Sequence, residues 1–244
     1  MFCMKVKLLQ WNIWFKEDID NVVNELKRIN ADIVCLQEVC IKENDRSNIE
    51  KIKAIYPYVY YRIADTFEDG LSQGNAILSK FEIVNEQGLF VQDASENEND
   101  YSKEGRIYIE VDININCNIL KIGTTHLSYT DRFIETKLKD KEINKLINII
   151  KDKNKNYIFA GDLNTTKTSK YIDYIKKYLI HYDTSNTWTT KEFSYNGFEE
   201  TKLNWKLDYI FSTPDIKIEN IKLYKTDISD HLPIIAEFVL KENL

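Results

Sequence analysis

Apolar side chains occupy every second position of the stretch RIYIEVDINI, which runs from Arg106 to Ile115. They are Ile107, Ile109, Val111, Ile113 and Ile115. A repeat of two residues is the side-chain period of a β-strand with one buried face, and it does not match the period of a helix. The stretch predicts a half-buried antiparallel strand, so the chain must fold around a sheet.

Shorter strand-like and helix-like segments fill the rest of the chain. Apolar residues with helical spacing extend from Ile19 to Ile29, and a polar helix is predicted from Arg46 to Ile55. The longest helix is predicted from Asp131 to about Lys151, and a short one at KYIDYIKKYL. The other predicted strands are VKLLQWNI, DIVCLQEV, YVYYRIA, GNAILS, CNILKIGTTHL, YIFAGDLN, KLDYIFS, IKIENIKLY and LPIIAEFVL.

Many strands with a few outer helices predict an α+β fold in which two packed, mainly antiparallel sheets are covered by helices, a four-layer α/β/β/α sandwich. The 244 residues contain 43% hydrophobic residues, enough for a large core. Neither a linker nor a charge block nor a short repeat divides the chain. We therefore predict a single domain that spans residues 1–244.

Composition excludes several classes of protein. The formal charge of −6 disfavours a non-specific grip on nucleic acid, although a local basic patch remains open. The four cysteines have neither C-x-x-C spacing nor histidines at zinc-like intervals, which favours buried or bystander thiols. No export signal and no membrane-length apolar run is visible, so we expect a soluble, cytoplasmic protein without membrane insertion. No protein partner is predicted.

Polar side chains that can bind metals or phosphates stand where apolar strands end. They are Asn12, Glu38, His126, Asp162, Asn164, Asp208, Asp230 and His231. Burying a carboxylate at such a place is costly unless it is paired or bound to a cation, so the repetition asks for a common cause. A shared metal and phosphate site is the economical explanation.

Each of these residues also has an ordinary structural explanation. Asn12 fits a turn, Glu38 a helix entry, and Asp162 an Asx turn after a strand. Asp230 and His231 together before a buried strand form a rarer construction, although a plain turn into the last strand stays open. His181 has no such surroundings, and we assign it no role.

Seven motifs in one order carry a family resemblance. They are LQWN, LQEV, GNAILS, TTHL, AGDLN, LDYIF and SDHLP, and they span the chain from about Val6 to Leu240. This series resembles the endonuclease/exonuclease/phosphatase superfamily of metal-dependent phosphoesterases. The resemblance implies a phosphate ester substrate, nucleic acid among the candidates, and Mg²⁺ as cofactor with Mn²⁺ as a substitute.

The resemblance also implies roles for residues on the metal side of the site. Glu38 would be the principal metal ligand with Asn12 and Asp230 nearby, since oxygen ligands suit Mg²⁺. Asp162 would handle the proton of the attacking water or of the leaving oxygen. Asn164 would hold a phosphate oxygen, as would Asn12.

On the phosphate side, His231 would contact the phosphate or activate water, and Asp208 would accept its other ring proton. His126 is expected to donate to the phosphate. Arg106 would supply a forked cation to the same group, although a strand-end arginine is more often a solvated charge.

Several positions depart from particular branches of the superfamily. Trp14 stands where the apurinic-endonuclease branch has an acid, and His126 where that branch has tyrosine. Gln73 and Asn75 occupy the stretch in which pancreatic deoxyribonuclease has a glutamate, and Thr165-Thr166 replaces the aromatic-Arg pair of inositol phosphatases. The tyrosyl-DNA phosphodiesterase and deadenylase-like branches fit best.

The segment from residue 181 to 205 is predicted to set substrate choice, because it is a loop region rich in aromatic and polar residues. Its aromatic residues either stack on a base or cap the edge of the sandwich. They are Trp188, Phe193, Tyr195, Phe198 and Trp205.

We therefore predict a Mg²⁺-dependent phosphoesterase that cleaves a phosphodiester, as a nuclease or a tyrosyl-DNA phosphodiesterase does, or a phosphomonoester. Two alternatives stay open: a non-catalytic binding module that kept the fold, and a lipid or sugar-phosphate phosphatase of the same superfamily. Three histidines without H-E-x-x-H spacing disfavour a zinc hydrolase.

Overall fold

The computed structural model describes residues 3–42, 47–67, 69–93 and 104–241. The four α-helices of these residues are α1 (Ile19–Ile29), α2 (Ser47–Lys53), α3 (Lys137–Ile150) and α4 (Lys170–Lys176). The strands are β1 (Cys3–Asn12), β2 (Ile33–Lys42), β3 (Tyr58–Thr66), β4 (Leu71–Ser79), β5 (Glu82–Gln92), β6 (Arg106–Ile115), β7 (Asn118–Thr125), β8 (Tyr157–Asp162), β9 (Ile180–Tyr182), β10 (Phe193–Tyr195), β11 (Phe198–Glu200), β12 (Asp208–Ser212), β13 (Ile218–Leu223) and β14 (Ile234–Lys241).

Two six-stranded sheets form the body of the protein. The first has the order β13-β14-β1-β2-β4-β3, and the second has the order β5-β6-β7-β8-β12-β9. Only the neighbours β1 with β2 and β7 with β8 run parallel among the described pairs. The mainly antiparallel sandwich predicted from the sequence is thereby confirmed.

Three apolar cores separate the four layers. Leu8 of β1 and Ile109 of β6 lie in the core between the two sheets. Trp11 faces the opposite side of β1 and packs in the core beneath α1 and α2. Phe159 of β8 belongs to the third core, beneath α3 and α4. Because side chains alternate along a strand, each strand feeds the inter-sheet core on one face and a helix-covered core on the other.

Three predicted helix boundaries differ from the structure, namely the start of α3 and the ends of α2 and α4. α3 begins at Lys137 rather than Asp131, because Thr136 is extended and its side chain accepts a hydrogen bond from the Lys139 amide as an N-cap. Residues 131–133 form a separate 3-10 turn. α2 ends at Lys53 rather than Ile55, and α4 ends at Lys176 rather than Leu179. The predicted start of α2 at Arg46 lies outside the described residues.

Strands β5, β9, β10 and β11 were not predicted. β10 and β11 form a hairpin of their own, outside both sheets, around a turn at Gly197 with a φ of 75°. Strands of three residues are too short to show a period, and β5 exposes most of its side chains. Within the described residues, no helix has the length and apolarity needed to cross a membrane.

Candidate active site

The site lies at one open end of the inter-sheet core. Asn12 follows Leu8 and Gln10 at every second position of β1, so it continues the inward-facing row. Asp162 continues the inward row of β8 in the same way, and Asp208 begins that of β12. The strands thereby bring polar side chains from both sheets to one place.

Glu38 reaches the site through a β-bulge. The register between β2 and β4 shifts between Leu36 and Val39, and Glu38 has a left-handed φ of 60°. This conformation is unfavourable for a residue with a side chain, and such bulges re-aim side chains next to active sites. The carboxylate enters the cleft, and its Oε2 accepts a hydrogen bond from the Phe15 amide at 2.8 Å.

Asn12 joins the carboxylates of the two sheets. Its Nδ2 donates to Glu38 Oε1 at 2.9 Å and to Asp162 Oδ2 at 3.0 Å, and its Oδ1 accepts from the Trp14 amide at 3.1 Å. In this orientation Asn12 is a donor to two acids, and its amide oxygen faces away from them. The predicted contact of Asn12 with the metal therefore remains a prediction.

Asp162 lies between two imidazoles. Its Oδ2 is 3.6 Å from His126 Nε2 and 3.7 Å from His231 Nε2. Burial and the neighbouring Asp208 carboxylate raise the pKa of Asp162 to about 6. Close contact between β7 and β8 depends on Gly161, where a Cβ atom would lie 2.5 Å from the Thr125 carbonyl oxygen.

Asp208 and His231 form the predicted dyad. His231 Nδ1 and Asp208 Oδ2 are 2.8 Å apart, and Gln10 Nε2 donates to the other Asp208 oxygen at 3.3 Å. Burial lowers the pKa of His231, but the carboxylates of Asp208, Asp230 and Asp162 outweigh burial and raise it well above its usual value. His231 is thus a cation whose Nε2 faces Asp162.

His126 has the opposite environment. Its Nδ1 lies 3.3 Å from Arg106 Nη1, and its Nε2 lies 2.9 Å from Asn164 Nδ2. Burial and the Arg106 cation lower the pKa of His126 well below its usual value, so the ring is neutral. Asn164 Nδ2 also donates to the Leu127 carbonyl oxygen at 3.0 Å.

Glu38 and Asp230 form an acidic pair that suits a hard cation. Burial and the Asp230 charge raise the pKa of Glu38 to about 7. No Lys or Arg of the described residues forms an ion pair with either carboxylate. Each Glu38 oxygen accepts one hydrogen bond and keeps a further lone pair. Oxygen donors with unbalanced negative charge fit Mg²⁺ or Mn²⁺.

A cleft of about 650 Å³ opens over these residues. Seven of the predicted site residues line it, namely Glu38, Arg106, His126, Asp162, Asn164, Asp230 and His231. Asn12 and Asp208 are 0% and 1% exposed and lie behind the wall of the cleft. All nine predicted residues are thus in one neighbourhood, seven on the surface of the cleft and two as supports.

Aromatic rings form the outer walls of the cleft. Trp188, Phe193 and Tyr195 of the predicted specificity segment line it, whereas Phe198 packs behind them in an aromatic cluster. Base stacking therefore stays a prediction for the three rings that line the cleft, whereas Phe198 packs inside the aromatic cluster. The sequence did not identify two further groups of residues that line the cleft. One is aromatic, namely Trp14, Phe15, Phe67, Tyr129 and Phe133, and the other consists of Lys16 and Lys191.

Two supporting contacts also went unrecognised in the sequence. Trp188 Nε1 donates to Asp230 Oδ2 at 2.9 Å, which orients the acid. Asn75, in the stretch where pancreatic deoxyribonuclease has a glutamate, donates to the Ile107 carbonyl oxygen at 2.8 Å. His181 packs against Phe211 with the ring centroids 5.1 Å apart and the ring planes tilted, and it does not line the cleft.

A fold of two sheets between helices, with acids, amides and histidines at one end, defines a phosphoesterase class. The sequence matches the model of the Endonuclease/Exonuclease/phosphatase family over residues 9–231, and the chain belongs to this family. Members of the family are hydrolases that act on phosphoesters. No curated protein matches the sequence.

Solved structures share the fold. An endonuclease/exonuclease/phosphatase from Beutenbergia cavernae DSM 12333 has a TM-score of 0.77 and 19% identity, over 97% of this chain and 72% of that chain. D. rerio TDP2, complexed with a single-strand DNA product, has a TM-score of 0.69 and 17% identity, over 96% and 98%. The mannosyl-6-phosphatase of Bacteroides thetaiotaomicron VPI-5482 has a TM-score of 0.65 and 16% identity, over 96% and 100%.

Proposed function

We propose that this protein is a Mg²⁺-dependent phosphoesterase that hydrolyses a phosphodiester, or a phosphomonoester, by in-line attack of water on phosphorus. The observation that carries the proposal is the position of Asp162. Its Oδ2 is 3.6 Å and 3.7 Å from the Nε2 atoms of the two site histidines, and this fully buried residue belongs to the lining of the cleft. A base between two potential phosphate-binding donors suits hydrolysis of a phosphoester, because the base can take a proton from water while the donors stabilise charge on the phosphate.

Asp162 accepts the proton of the attacking water. With a pKa of about 6 it is ionised at neutral pH and remains basic enough to take a proton. Asn12 holds the carboxylate in place through its bond to Oδ2. His231 donates its Nε2 proton to a phosphate oxygen, because Asp208 fixes Nδ1 and the surrounding acids keep the ring charged.

Glu38 and Asp230 would hold the metal, with Asn12 beside them. A bound Mg²⁺ would polarise a phosphoryl oxygen and offset negative charge in the transition state. The two acids provide the oxygen atoms, Phe15 and Trp188 orient them, and the bulge at Glu38 aims its carboxylate at the cleft.

The walls of the cleft favour an ester with a planar group, such as a nucleotide. Phe15 and Tyr195 are 43% and 41% exposed, so each ring has an exposed part that a base can contact. Stacking of one base on an aromatic side chain contributes about 1–3 kcal/mol. Lys16 and Lys191 supply cations near the aromatic rings for further phosphates. A single-strand oligonucleotide is therefore the first substrate to test.

A turnover screen with and without Mg²⁺ tests the proposal. The substrates are bis-p-nitrophenyl phosphate, p-nitrophenyl phosphate, single- and double-strand oligonucleotides, a phosphotyrosyl oligonucleotide, mannose 6-phosphate and sphingomyelin. We expect turnover that EDTA abolishes and that Mg²⁺ or Mn²⁺ restores. Asp162→Asn and His231→Ala should each lower the rate by about 10²- to 10⁴-fold.

Matched variants separate these losses from general damage. Asp173→Asn alters an exposed acid of α4, and His181→Ala removes the histidine outside the cleft. Both should retain wild-type turnover. A folded protein that hydrolyses none of these esters with Mg²⁺ present would instead support the non-catalytic binding module.

A further inference from the structure

Both ring nitrogens of His126 face nitrogen atoms. Arg106 Nη1 lies 3.3 Å from Nδ1, and Asn164 Nδ2 lies 2.9 Å from Nε2. A neutral imidazole has one N–H donor and one acceptor nitrogen, whereas an imidazolium has two donors and no acceptor. Only one of the two neighbours can therefore donate to the ring, and the two compete for its single lone pair.

Arg106 can only donate a hydrogen bond to the ring. A guanidinium has donors only, and this one is held on two other sides. Its Nη2 donates to Glu104 Oε2 at 2.5 Å, and its Nε donates to Ser128 Oγ at 3.4 Å. The side chain is 5% exposed, so water cannot take the place of these partners without a rearrangement.

Asn164 can either donate a hydrogen bond to the ring or accept one from it. Its amide presents either the NH₂ group or the oxygen after a half-turn about the terminal bond, with almost no change in shape. The half-turn costs the hydrogen bond from Nδ2 to the Leu127 carbonyl oxygen, which is 3.0 Å long. Because Arg106 can only donate, Nδ1 of His126 must be the acceptor nitrogen and Nε2 carries the proton. Asn164 then turns its amide oxygen toward Nε2.

We propose that Arg106 is a positioning residue that holds His126 in the tautomer with its proton on Nε2. The inference rests on the proposed function, because Nε2 points into the cleft, 3.6 Å from Asp162 Oδ2. In the free protein Asn164 Oδ1 accepts from this N–H, and a phosphate oxygen of the bound substrate shares the same donor. Arg106 acts through His126, in place of the direct phosphate contact that the sequence suggested.

Loss of Arg106 inverts the arrangement. Asn164 then turns its NH₂ group back to Nε2 and regains its bond to the Leu127 carbonyl oxygen, and the ring proton moves to Nδ1. The imidazole thereby directs a lone pair at the anionic phosphate instead of an N–H. This repels the substrate oxygen and removes a donor from the transition state.

Nitrogen NMR of histidine-labelled protein reads the tautomer directly. The chain has three histidines, so His126→Ala assigns the His126 signals by difference. In the wild type we expect an unprotonated Nδ1 and a protonated Nε2, and in Arg106→Met the reverse. A wild-type proton on Nδ1, or an unchanged tautomer in Arg106→Met, would overturn the proposal. The same spectra show whether each variant is folded.

A double-mutant cycle on kcat/KM gives the second test. Arg106→Met and His126→Ala should each lower it by roughly 10- to 100-fold, the usual size for lost supporting contacts. The double variant should be no slower than His126→Ala alone, because Arg106 acts through the ring. Losses that multiply would mean that Arg106 contacts the substrate independently, and would contradict the inference.

A surface arginine serves as the control. Arg28 pairs with Glu25 at 3.0 Å in α1 and does not line the cleft, and the pair resembles that of Arg106 with Glu104. Arg28→Met should leave both the tautomer and the rate unchanged. If the wild type hydrolyses no phosphoester, the proposed function fails. The His126 tautomer in the wild type and in Arg106→Met still decides whether Arg106 is a positioning residue.

Discussion

The two histidines of the site obtain opposite charge states from their nearest neighbours. His126 lies beside Arg106, so its pKa falls and it stays neutral, whereas His231 lies among three carboxylates that raise its pKa. A neutral ring donates only if its tautomer is fixed, and a charged ring always donates. The sequence showed which residue types occupy the site, but it could not show which ring has the cation as its neighbour.

Asp208→Asn tests how the dyad sets the charge of His231. Asp208 is the largest of the contributions that raise the pKa of His231, and it also raises that of Asp162. Without its charge both pKa values fall. Activity needs ionised Asp162 and protonated His231, so both limbs of the pH profile of kcat/KM should move to lower pH, with a rate loss of about 10²-fold or more.

The profile is measured on one chromogenic phosphodiester over the whole pH range, with Asp173→Asn as the control for charge number. A variant that loses rate but keeps both limbs in place would contradict the assigned electrostatic role of Asp208.

At the scale of single elements, counting by two along a strand gives the direction of a side chain where the strand period continues and gives none where the period breaks. Asn12 and Asp162 occupy inward positions that counting by two predicts. Glu38 follows a bulge, where the count is offset by one and only the backbone conformation tells which way the side chain points. The hairpin from residue 193 to 200 has no periodic pattern, so tertiary packing on the aromatic cluster defines it.

Thr136→Ala tests the observed start of α3. As the N-cap, Thr136 accepts a hydrogen bond from the Lys139 amide at 3.2 Å, so its loss should lower the free energy of unfolding by about 1 kcal/mol. Urea unfolding measures the change, with the exposed Thr201→Ala as control. An increase in stability would instead place Thr136 inside a helix that begins earlier, because alanine is the better helix former there.

Tyr195→Ala tests the hairpin as a wall for the substrate. The ring is 41% exposed, so its removal should cost little stability, while KM for an oligonucleotide should rise about 5- to 100-fold if one base stacks on it. The value for bis-p-nitrophenyl phosphate should change much less, because that ester places fewer groups along the wall. Tyr178→Ala is the matched control, since Tyr178 is also 41% exposed and lies outside this cleft.

At the scale of the whole molecule, the site exists only when the two sheets are packed in register. Gln10 of β1 and Gln37 of β2 form a buried amide pair, and Gln37 Nε2 donates across the sandwich to Thr124 Oγ1 at 2.9 Å. Gln10 reaches Asp208 of the same opposite sheet. Because these amides are satisfied only in one relative placement of the sheets, they favour the placement that also aligns the acids and histidines.

The acidic end of the sandwich should make the stability of the whole protein depend on Mg²⁺. Burial, together with Asp230, raises the pKa of Glu38 from 4.5 to about 7. The folded state therefore retains a proton that the unfolded chain releases in this window, so the free energy of unfolding falls as the pH rises through it. Above pH 7 the charged Glu38 destabilises the metal-free fold.

Glu38→Gln should therefore have opposite effects in two buffers at pH 8. In EDTA the variant should be more stable than the wild type, because it removes the buried charge. In Mg²⁺ the wild type should gain about 2.7 kcal/mol when the metal is at a hundredfold excess over its Kd, and the variant much less. Urea unfolding gives both values, with the exposed Glu82→Gln as control.

Two outcomes would contradict this prediction. A variant that Mg²⁺ stabilises as strongly as the wild type would exclude Glu38 as the principal ligand. A variant that is less stable than the wild type in EDTA would contradict the charge repulsion between Glu38 and Asp230.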